Sequence, residues 1–285
     1  MFFQQLINGI MLGSMYSLVG VAFALILGIL GMLNIAIGEV FMVGAMLALT
    51  VAIVQLPLPL AILAAMALGG AVSLVIERFG FRPFKDVSVL VPILSSLAFS
   101  ILLRNLAVNL WSSEKVTFPY AESVMRFDMG LFKVTSAQLI VIATTLFLVI
   151  VLDLLIFRTK IGRAMRAVAA NQEIANVLGV DSKRIIQIAF FISGALAGVA
   201  GVEAGLAYSS VSPYMGVHIG LKGLAATVVG GLGNIRGAML GGMLVGITEV
   251  MSAAYISFFY RDIFVYGLIL VVLLFRPEGV LGKKV

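Results

Sequence analysis

The chain has 285 residues, of which 62% are apolar and 11% charged, with a net charge of +6 and a mean hydropathy of +1.17. Soluble domains carry about 25% charged residues, so a soluble globular enzyme is excluded, and no polar stretch is long enough to build a core of its own. Cysteine is absent and His218 is the only histidine, which excludes disulfides, thiolate and multi-histidine metal sites and cysteine nucleophiles, while the excess positive charge fits cationic loops on one membrane face and not nucleic acid.

In chain order, the stretch from Leu6 to Val54 carries one formal charge, Glu39. It is long enough to cross a bilayer twice, since a span needs about 20 residues to cover roughly 30 Å of hydrocarbon. The N-terminal residues lack a basic region and the apolar run after them is too long for a signal peptide, so a retained first span is expected. Apolar runs predict membrane segments at 7–31, 35–55, 58–77, 88–110, 137–157, 185–207, 214–232, 237–256 and 262–276. The seventh is glycine-rich and contains Lys222, and the ninth is short. Either can be re-entrant, which leaves eight or nine crossings. The expected fold is an all-α, polytopic transmembrane helical bundle with glycine-broken helices, one permease-like domain over 1–285.

Lys and Arg placement sets the expected orientation. Arg78, Arg82 and Lys85 follow the third segment, and Arg158, Lys160, Arg163, Arg166, Lys183 and Arg184 lie between the fifth and sixth. Arg236 precedes the eighth, and Arg276, Lys283 and Lys284 follow the ninth. With nine crossings these share one side, which the positive-inside rule makes cytoplasmic. The 112–136 loop, with three basic and three acidic residues, is then outside, as is the N-terminus, and the C-terminus is inside.

Thirty glycines imply close helix packing, since helices in lipid associate through backbone approach. GxxxG pairs occur at Gly194/Gly198, Gly201/Gly205, Gly237/Gly241 and Gly242/Gly246. Gly28 to Gly31 and Gly230 to Gly233, beside Asn34 and Asn234, are the best candidates for broken helices around a pathway. Ionisable residues inside the membrane are costly and must face the protein interior. Glu39, Arg104, Glu203, Lys222 and Glu249 either pair and lock helices, or Asn34, Glu39, Lys222 and Glu249 line a substrate pathway.

The polar segment 158–184 reads as two short helices. Ile161, Met165 and Val168 share one helical face with Arg163 and Arg166 off it. Asn171 is placed to cap a second helix that stops at Gly179, and Asp181 to cap the sixth span. Such defined structure suits a docking element for a cytoplasmic partner better than a segment resting on lipid. No G-x-x-x-x-G-K-[ST] sequence is present, so this chain cannot cradle ATP phosphates in a P-loop, and any ATP-driven step needs another subunit.

An ordered series of motifs runs along nearly the whole chain: Leu33 to Val40 (LNIAIGEV) with Gly44 and Ala45, Glu77-Arg78, Arg82-Pro83, Gly162-Arg163-Ala164, Arg166-Ala167 and Leu178-Gly179. It continues with Gly220 to Ala226 (GLKGLAA), Gly230 to Gly242 (GGLGNIRGAMLGG) and Arg276-Pro277-Glu278-Gly279. In these the chain resembles the permease subunits of branched-chain amino-acid ABC importers of the LivH type. The resemblance implies a non-enzymatic transport subunit in a bacterial inner membrane. Its partners would be a second permease subunit, commonly LivM-like, two cytoplasmic ATPase subunits and an extracytoplasmic substrate-binding protein. No cofactor is expected on this chain, with ATP on the partner subunits. Gly162, Arg163, Arg166, Asn171 and Gly179 would belong to the ATPase-coupling element, and the 112–136 loop would meet the binding protein. The family commonly has histidine where this chain has Ile37 and proline where it has Arg236, and relatives import urea, short amides or aromatic acids. The alternatives are a self-sufficient channel or secondary carrier for a small polar solute such as urea or an amide and, more remotely, an intramembrane hydrolase using His218 with Ser209, Ser210 or Ser212.

Overall fold

A computed structural model describes residues 2–84, 88, 90–121, 125–128 and 133–282. Lys85, Lys283 and Lys284, used above for orientation, lie outside the described residues. The described chain forms eleven α-helices. They are α1 (Phe2–Leu30), α2 (Ile37–Ile53), α3 (Leu58–Ile76), α4 (Leu90–Trp111), α5 (Ser136–Arg158) and α6 (Lys160–Ala170), then α7 (Gln172–Val177), α8 (Ser182–Tyr208), α9 (Met215–Gly230), α10 (Ile235–Tyr255) and α11 (Arg261–Phe275).

The nine expected membrane segments are all present as helices. Seven stretches are long and apolar enough to cross a bilayer, and α2 and α9 are shorter, at 17 and 16 residues. The short segments are therefore the second and seventh. The ninth is lengthened by a 3-10 turn, Phe258–Tyr260, which carries it over Phe258–Phe275.

Burial sorts the helices into two shells. Of the most apolar stretch of each helix, 78% is buried in α1 and 72% in α8, against 22% in α4 and 6% in α11. A helix apolar on every side and surrounded by protein needs no polar face, and α1 and α8 are such helices. They form the centre with α2, α9 and α10. The outer faces of α4, α5 and α11 carry exposed Leu, Ile and Phe side chains suited to lipid.

The central helices approach at backbone distance. A Cβ on Gly198 would strike the Ala65 carbonyl, one on Gly44 would strike Gly198, and one on Gly246 would strike Gly13. Glycine at these positions is what lets the helix axes come close enough for dispersion contacts to hold them in lipid. Hydroxyl pins add to this: Ser193 Oγ donates to Ala22 O (2.8 Å), Thr227 Oγ1 to Gly20 O (2.9 Å) and Ser17 Oγ to Met239 O (2.7 Å).

One face of the bundle gathers Arg78, Arg82, Arg158, Lys160, Arg163, Arg166, Arg184, Arg236 and Arg276, and is called the basic face below. The opposite, far face carries the N-terminus of α1 and two small antiparallel ribbons. β1 (Val116–Thr117) pairs with β4 (Ser210–Val211), and β2 (Arg126–Asp128) pairs with β3 (Lys133–Thr135). β3 leads into α5 through a Thr135/Gln138 capping box. The C-terminal segment lies on the basic face. There Val280 N donates to Val229 O (2.9 Å) and Leu281 N to Gly230 O (3.0 Å), which satisfies carbonyls at the end of α9. The N- and C-terminal ends thus sit on opposite faces, as an odd number of crossings requires.

The glycine motifs at Gly28 to Gly31 and Gly230 to Gly233 meet each other on the basic face, where a Cβ on Gly28 would come within 2.9 Å of Gly233 O. Gly31, Gly231 and Gly233 hold left-handed φ values of +65°, +118° and +75°, which glycine adopts without a Cβ penalty. The second motif is a turn between α9 and α10. The break lies just after the first motif, at 31–36, and turns back into the bundle: Leu33 and Ile35 share a cavity with Phe23, well up α1. Asn34 shapes this segment, its Oδ1 accepting from Ala36 N (3.1 Å) while Ile35 N donates to Ser96 Oγ (3.0 Å). α2 starts inside the bundle as a result, and its Gly38 meets Gly216 and Gly220 at the start of α9. From that meeting point α2 runs to the far face and α9 to the basic face.

Candidate functional site

The structure separates the four expected pathway residues into two groups. The first lies where α2, α4 and α9 meet. Glu39, in the first turn of α2 and 1% exposed, accepts from Arg104 Nε (3.2 Å) and Ser100 Oγ (3.3 Å) on α4, both through Oε1. Its Oε2 is buried with no hydrogen-bond partner, and faces Gly216, where a Cβ would come within 2.5 Å of it. Asn34, five residues upstream and also 1% exposed, has a buried and unpartnered Nδ2. A cavity of about 210 Å³ adjoins Glu39, Ser100 and Arg104 and is otherwise lined by Phe23, Leu33, Leu97, Leu221 and Leu224 among others, whereas Asn34 lies outside its lining.

The second group lies between α1, α9, α10 and α11. Lys222 Nζ donates to Glu249 Oε1 (2.6 Å) and pairs with Asp262 Oδ1 (3.0 Å). Tyr16 Oη donates to Glu249 Oε2 (2.8 Å) and lies 3.0 Å from Tyr208 Oη, and Arg261 Nε approaches Glu249 at 3.8 Å. Two cations face two carboxylates, and every carboxylate oxygen of Glu249 has a partner. The network forms part of the floor of a far-face cavity of about 630 Å³ that Asn8, Gln138, Tyr208, Glu249 and Arg261 help to line.

Glu203, the fifth intramembrane ionisable residue, accepts from Thr144 Oγ1 (2.7 Å) and Thr145 Oγ1 (3.1 Å), and links α8 to α5. His218 is exposed on α9, and among the described residues no serine hydroxyl bonds to it, so the hydrolase reading has no geometric support. No group of three metal-binding side chains occurs among the described residues.

On the basic face, α6 and α7 form the expected paired short helices. Thr159 caps α6 through Gly162 N (3.1 Å), Asn171 caps α7 through Ile174 N (2.9 Å), Gly179 stops it at φ +85°, and Asp181 caps α8 through Arg184 N (3.2 Å). The buried face of α6 is Gly162, Met165 and Val168. Ile161, expected on that face, is 41% exposed. Gly162 takes its place because a Cβ there would strike the Leu155 and Ile156 carbonyls. Arg163 projects outward, whereas Arg166 turns back to donate to the Ile156 carbonyl. Val177 (87% exposed) and Leu178 (75%) stand out from the tip of α7 beside Ile174.

Arg236, where the family commonly has proline, makes a two-point ion pair with Asp153 on α5 (2.7 and 3.0 Å) and stacks over Phe157 at 4.6 Å. Arg166 lies 5.5 Å from the same ring, so Phe157 bridges α6 to the start of α10. Ile37, in place of the family's usual histidine, is fully buried.

Sequence reasoning passed over the role of Arg104 and Ser100 as the partners of Glu39. Their signal was present: Ser96, Ser100 and Arg104 recur every four residues and so form one polar stripe on an otherwise apolar helix. Asp262 and Arg261, which complete the Lys222 network, gave no such pattern.

Comparison with known proteins agrees with this arrangement. Residues 5–273 match the family model described as the permease component of branched-chain amino-acid transport systems. The chain is 37% identical over 300 residues to the high-affinity branched-chain amino-acid permease protein BraD of Pseudomonas aeruginosa, covering 99% of this chain and 96% of that protein. It is 33% identical over 295 residues to LivH of Escherichia coli, with the same coverage. Among solved structures, PsaBC from Streptococcus pneumoniae in complex with Fab has the same fold, at a TM-score of 0.50 and 14% identity over 96% of this chain and 91% of that one. This chain is an integral membrane protein that belongs to the family of branched-chain amino-acid transport system permease components.

Proposed function

We propose that this chain is one of two membrane-spanning permease subunits of an ATP-driven importer that moves a branched-chain amino acid, or a solute of similar size and polarity, into the cytoplasm. A second permease subunit of LivM type completes the pathway, two ATPase subunits supply the energy, and an extracytoplasmic binding protein delivers the solute at the far face. The basic face is cytoplasmic, with the N-terminus outside and the C-terminus inside.

The observation that carries this reading is the α6–α7 element. Met165 and Val168 fasten it to the bundle, while Arg163, Ile174, Val177 and Leu178 project from it. Apolar side chains this exposed in an aqueous phase mark a surface that a partner covers. A P-loop is missing from the chain, so the partner that covers this knob is the one that hydrolyses ATP. Displacement of α6 would pass through Arg166, Phe157 and Arg236 to the start of α10, and through Gly28 and Gly233 to α1 and the break at 31–36.

The test is reconstitution into liposomes. The chain assembled with a LivM-type subunit, the ATPases and the binding protein should take up leucine only with ATP, and the chain alone should take up none. Uptake by the chain alone would replace this reading with a channel or secondary carrier.

A further inference from the structure

We propose that the recess between α2, α4 and α9 is a binding site for a zwitterionic α-amino acid, with Glu39 receiving the ammonium group and Arg104 the carboxylate. The inference rests on the permease reading above and adds to it a specificity site inside the membrane-spanning subunit.

Three observations carry it. First, buried polar atoms are almost always hydrogen-bonded, and an unpartnered one costs about 1–3 kcal/mol. Among the described residues three buried side-chain polar atoms have no partner: Asn34 Nδ2, Glu39 Oε2 and Ser73 Oγ. Of these, Glu39 Oε2 belongs to a carboxylate that lines the cavity, and an ammonium group there would satisfy it.

Second, Arg104 uses only Nε on Glu39, which leaves its terminal nitrogens to meet an anion in the two-point geometry that guanidinium favours. Its side chain is 29% exposed while Glu39 is 1% exposed, so the cation stands nearer the mouth and the acid at the floor. The cavity of about 210 Å³ is otherwise walled by Phe23, Leu33, Leu97, Leu221 and Leu224. A small apolar pocket with a few convergent polar groups is the usual form of a small-molecule site, and these walls suit an aliphatic side chain.

Third, the mouth reaches the bundle surface between α4 and α9, where Leu97, Val217 and Leu221 at its rim are exposed. Farther along α4, Asn105 and Asn109 are exposed, with their amide nitrogens folded back on Ile101 O and Asn105 O (2.8 and 2.9 Å), and exposed amides on a membrane helix suit a neighbouring subunit better than lipid. In the present conformation Gly216 closes over Glu39 Oε2. A shift of the first turn of α9 opens it, and a residue with a side chain at 216 would keep it shut.

Binding to the permease–ATPase complex in nanodiscs, without the binding protein, tests the site. Leucine at millimolar concentration should raise the thermal unfolding midpoint of the wild-type complex. Isopentylamine, which has only the cation, and 4-methylpentanoate, which has only the anion, should shift it less than half as far. Glu39→Gln and Gly216→Val should each abolish the leucine shift. Equal shifts from leucine and either analogue, no leucine shift in the wild type, or a full shift in Glu39→Gln would each overturn the assignment. The analogue comparison needs no variant, so a misfolded Glu39→Gln does not blunt it. Copurification of the ATPases, scored on the same preparation, reports on the permease reading separately: a complex that assembles but ignores leucine refutes this site alone.

Discussion

Two charged clusters sit inside this membrane protein, and they are finished to different degrees. Around Lys222 every group is met: Glu249 takes the lysine on one oxygen and Tyr16 on the other, Asp262 takes the lysine again, and Arg261 stands behind both acids. Around Glu39 the pairing stops halfway, with Oε1 accepting two hydrogen bonds and Oε2 left over. The difference separates a joint from a socket. A saturated network holds helices in one arrangement and has nothing to offer a ligand, whereas an unsaturated one is stable only if something else completes it. The expected pathway set of Asn34, Glu39, Lys222 and Glu249 therefore divides: Glu39 is proposed as a binding residue, Asn34 shapes the break before α2, and Lys222 and Glu249 are proposed as a lock between α9, α10 and α11.

The largest effect should come from breaking the joint. Lys222→Met leaves Glu249 buried beside Asp262, and loss of one partner of a buried pair costs about 3–5 kcal/mol. The variant should unfold at a markedly lower temperature or fail to accumulate, and Lys222→Met with Glu249→Leu should recover much of the loss. If the single and double variants are equally unstable, the pair is not the lock described.

The next effect is steric. Gly198→Leu forces a side chain into the Ala65 carbonyl, and overpacking of this kind costs about 1–3 kcal/mol. It should loosen α3 from α8, measured as a lower unfolding midpoint, while the same change at Gly267, with nothing near its absent Cβ, should have no effect.

Glu39→Gln should be milder for stability than Lys222→Met, since a glutamine carbonyl can still accept from Arg104 and Ser100 and no carboxylate is left unpaired. A loss of about 1 kcal/mol is expected, together with a loss of the leucine response. A stability loss as large as that of Lys222→Met would make both clusters joints and remove the contrast. Smallest of all, Asp153→Ala removes a pair whose arginine is solvent-exposed, and the unfolding midpoint should not move. If the pair helps transmit motion from α6, the change appears instead as slower ATP-driven uptake at unchanged assembly.

The sequence allowed these features to be read unequally, for physical reasons. Span positions, the Asn171 and Asp181 caps and the Gly179 stop depend on residues a few positions apart, and each appears where expected. The GxxxG pairs were legible as packing faces because lipid leaves little else to drive association. The break at 31–36 was legible from Gly28 to Gly31 beside Asn34, but its inward turn was not, since Leu33 and Ile35 look like ordinary ends of apolar spans and only the surrounding bundle turns them inward. The partner of Glu39 lies 65 residues away on another helix, a distance no local pattern encodes, although the Ser96, Ser100 and Arg104 stripe marked the correct face of α4. Ile161 was misplaced because periodicity cannot weigh a side chain against a glycine that must pack on a carbonyl.

The central claim is that this bundle is driven from its basic face by another polypeptide. The chain contains no cysteine, so a single Arg163→Cys change gives a clean reporter on α6, with Glu114→Cys as its counterpart on the far face. A membrane-impermeant maleimide applied to intact spheroplasts should modify Glu114→Cys and spare Arg163→Cys. In inverted vesicles Arg163→Cys should react, and the ATPase subunits should protect it. Labelling of Arg163→Cys from outside, or no protection by the ATPases, would contradict the account.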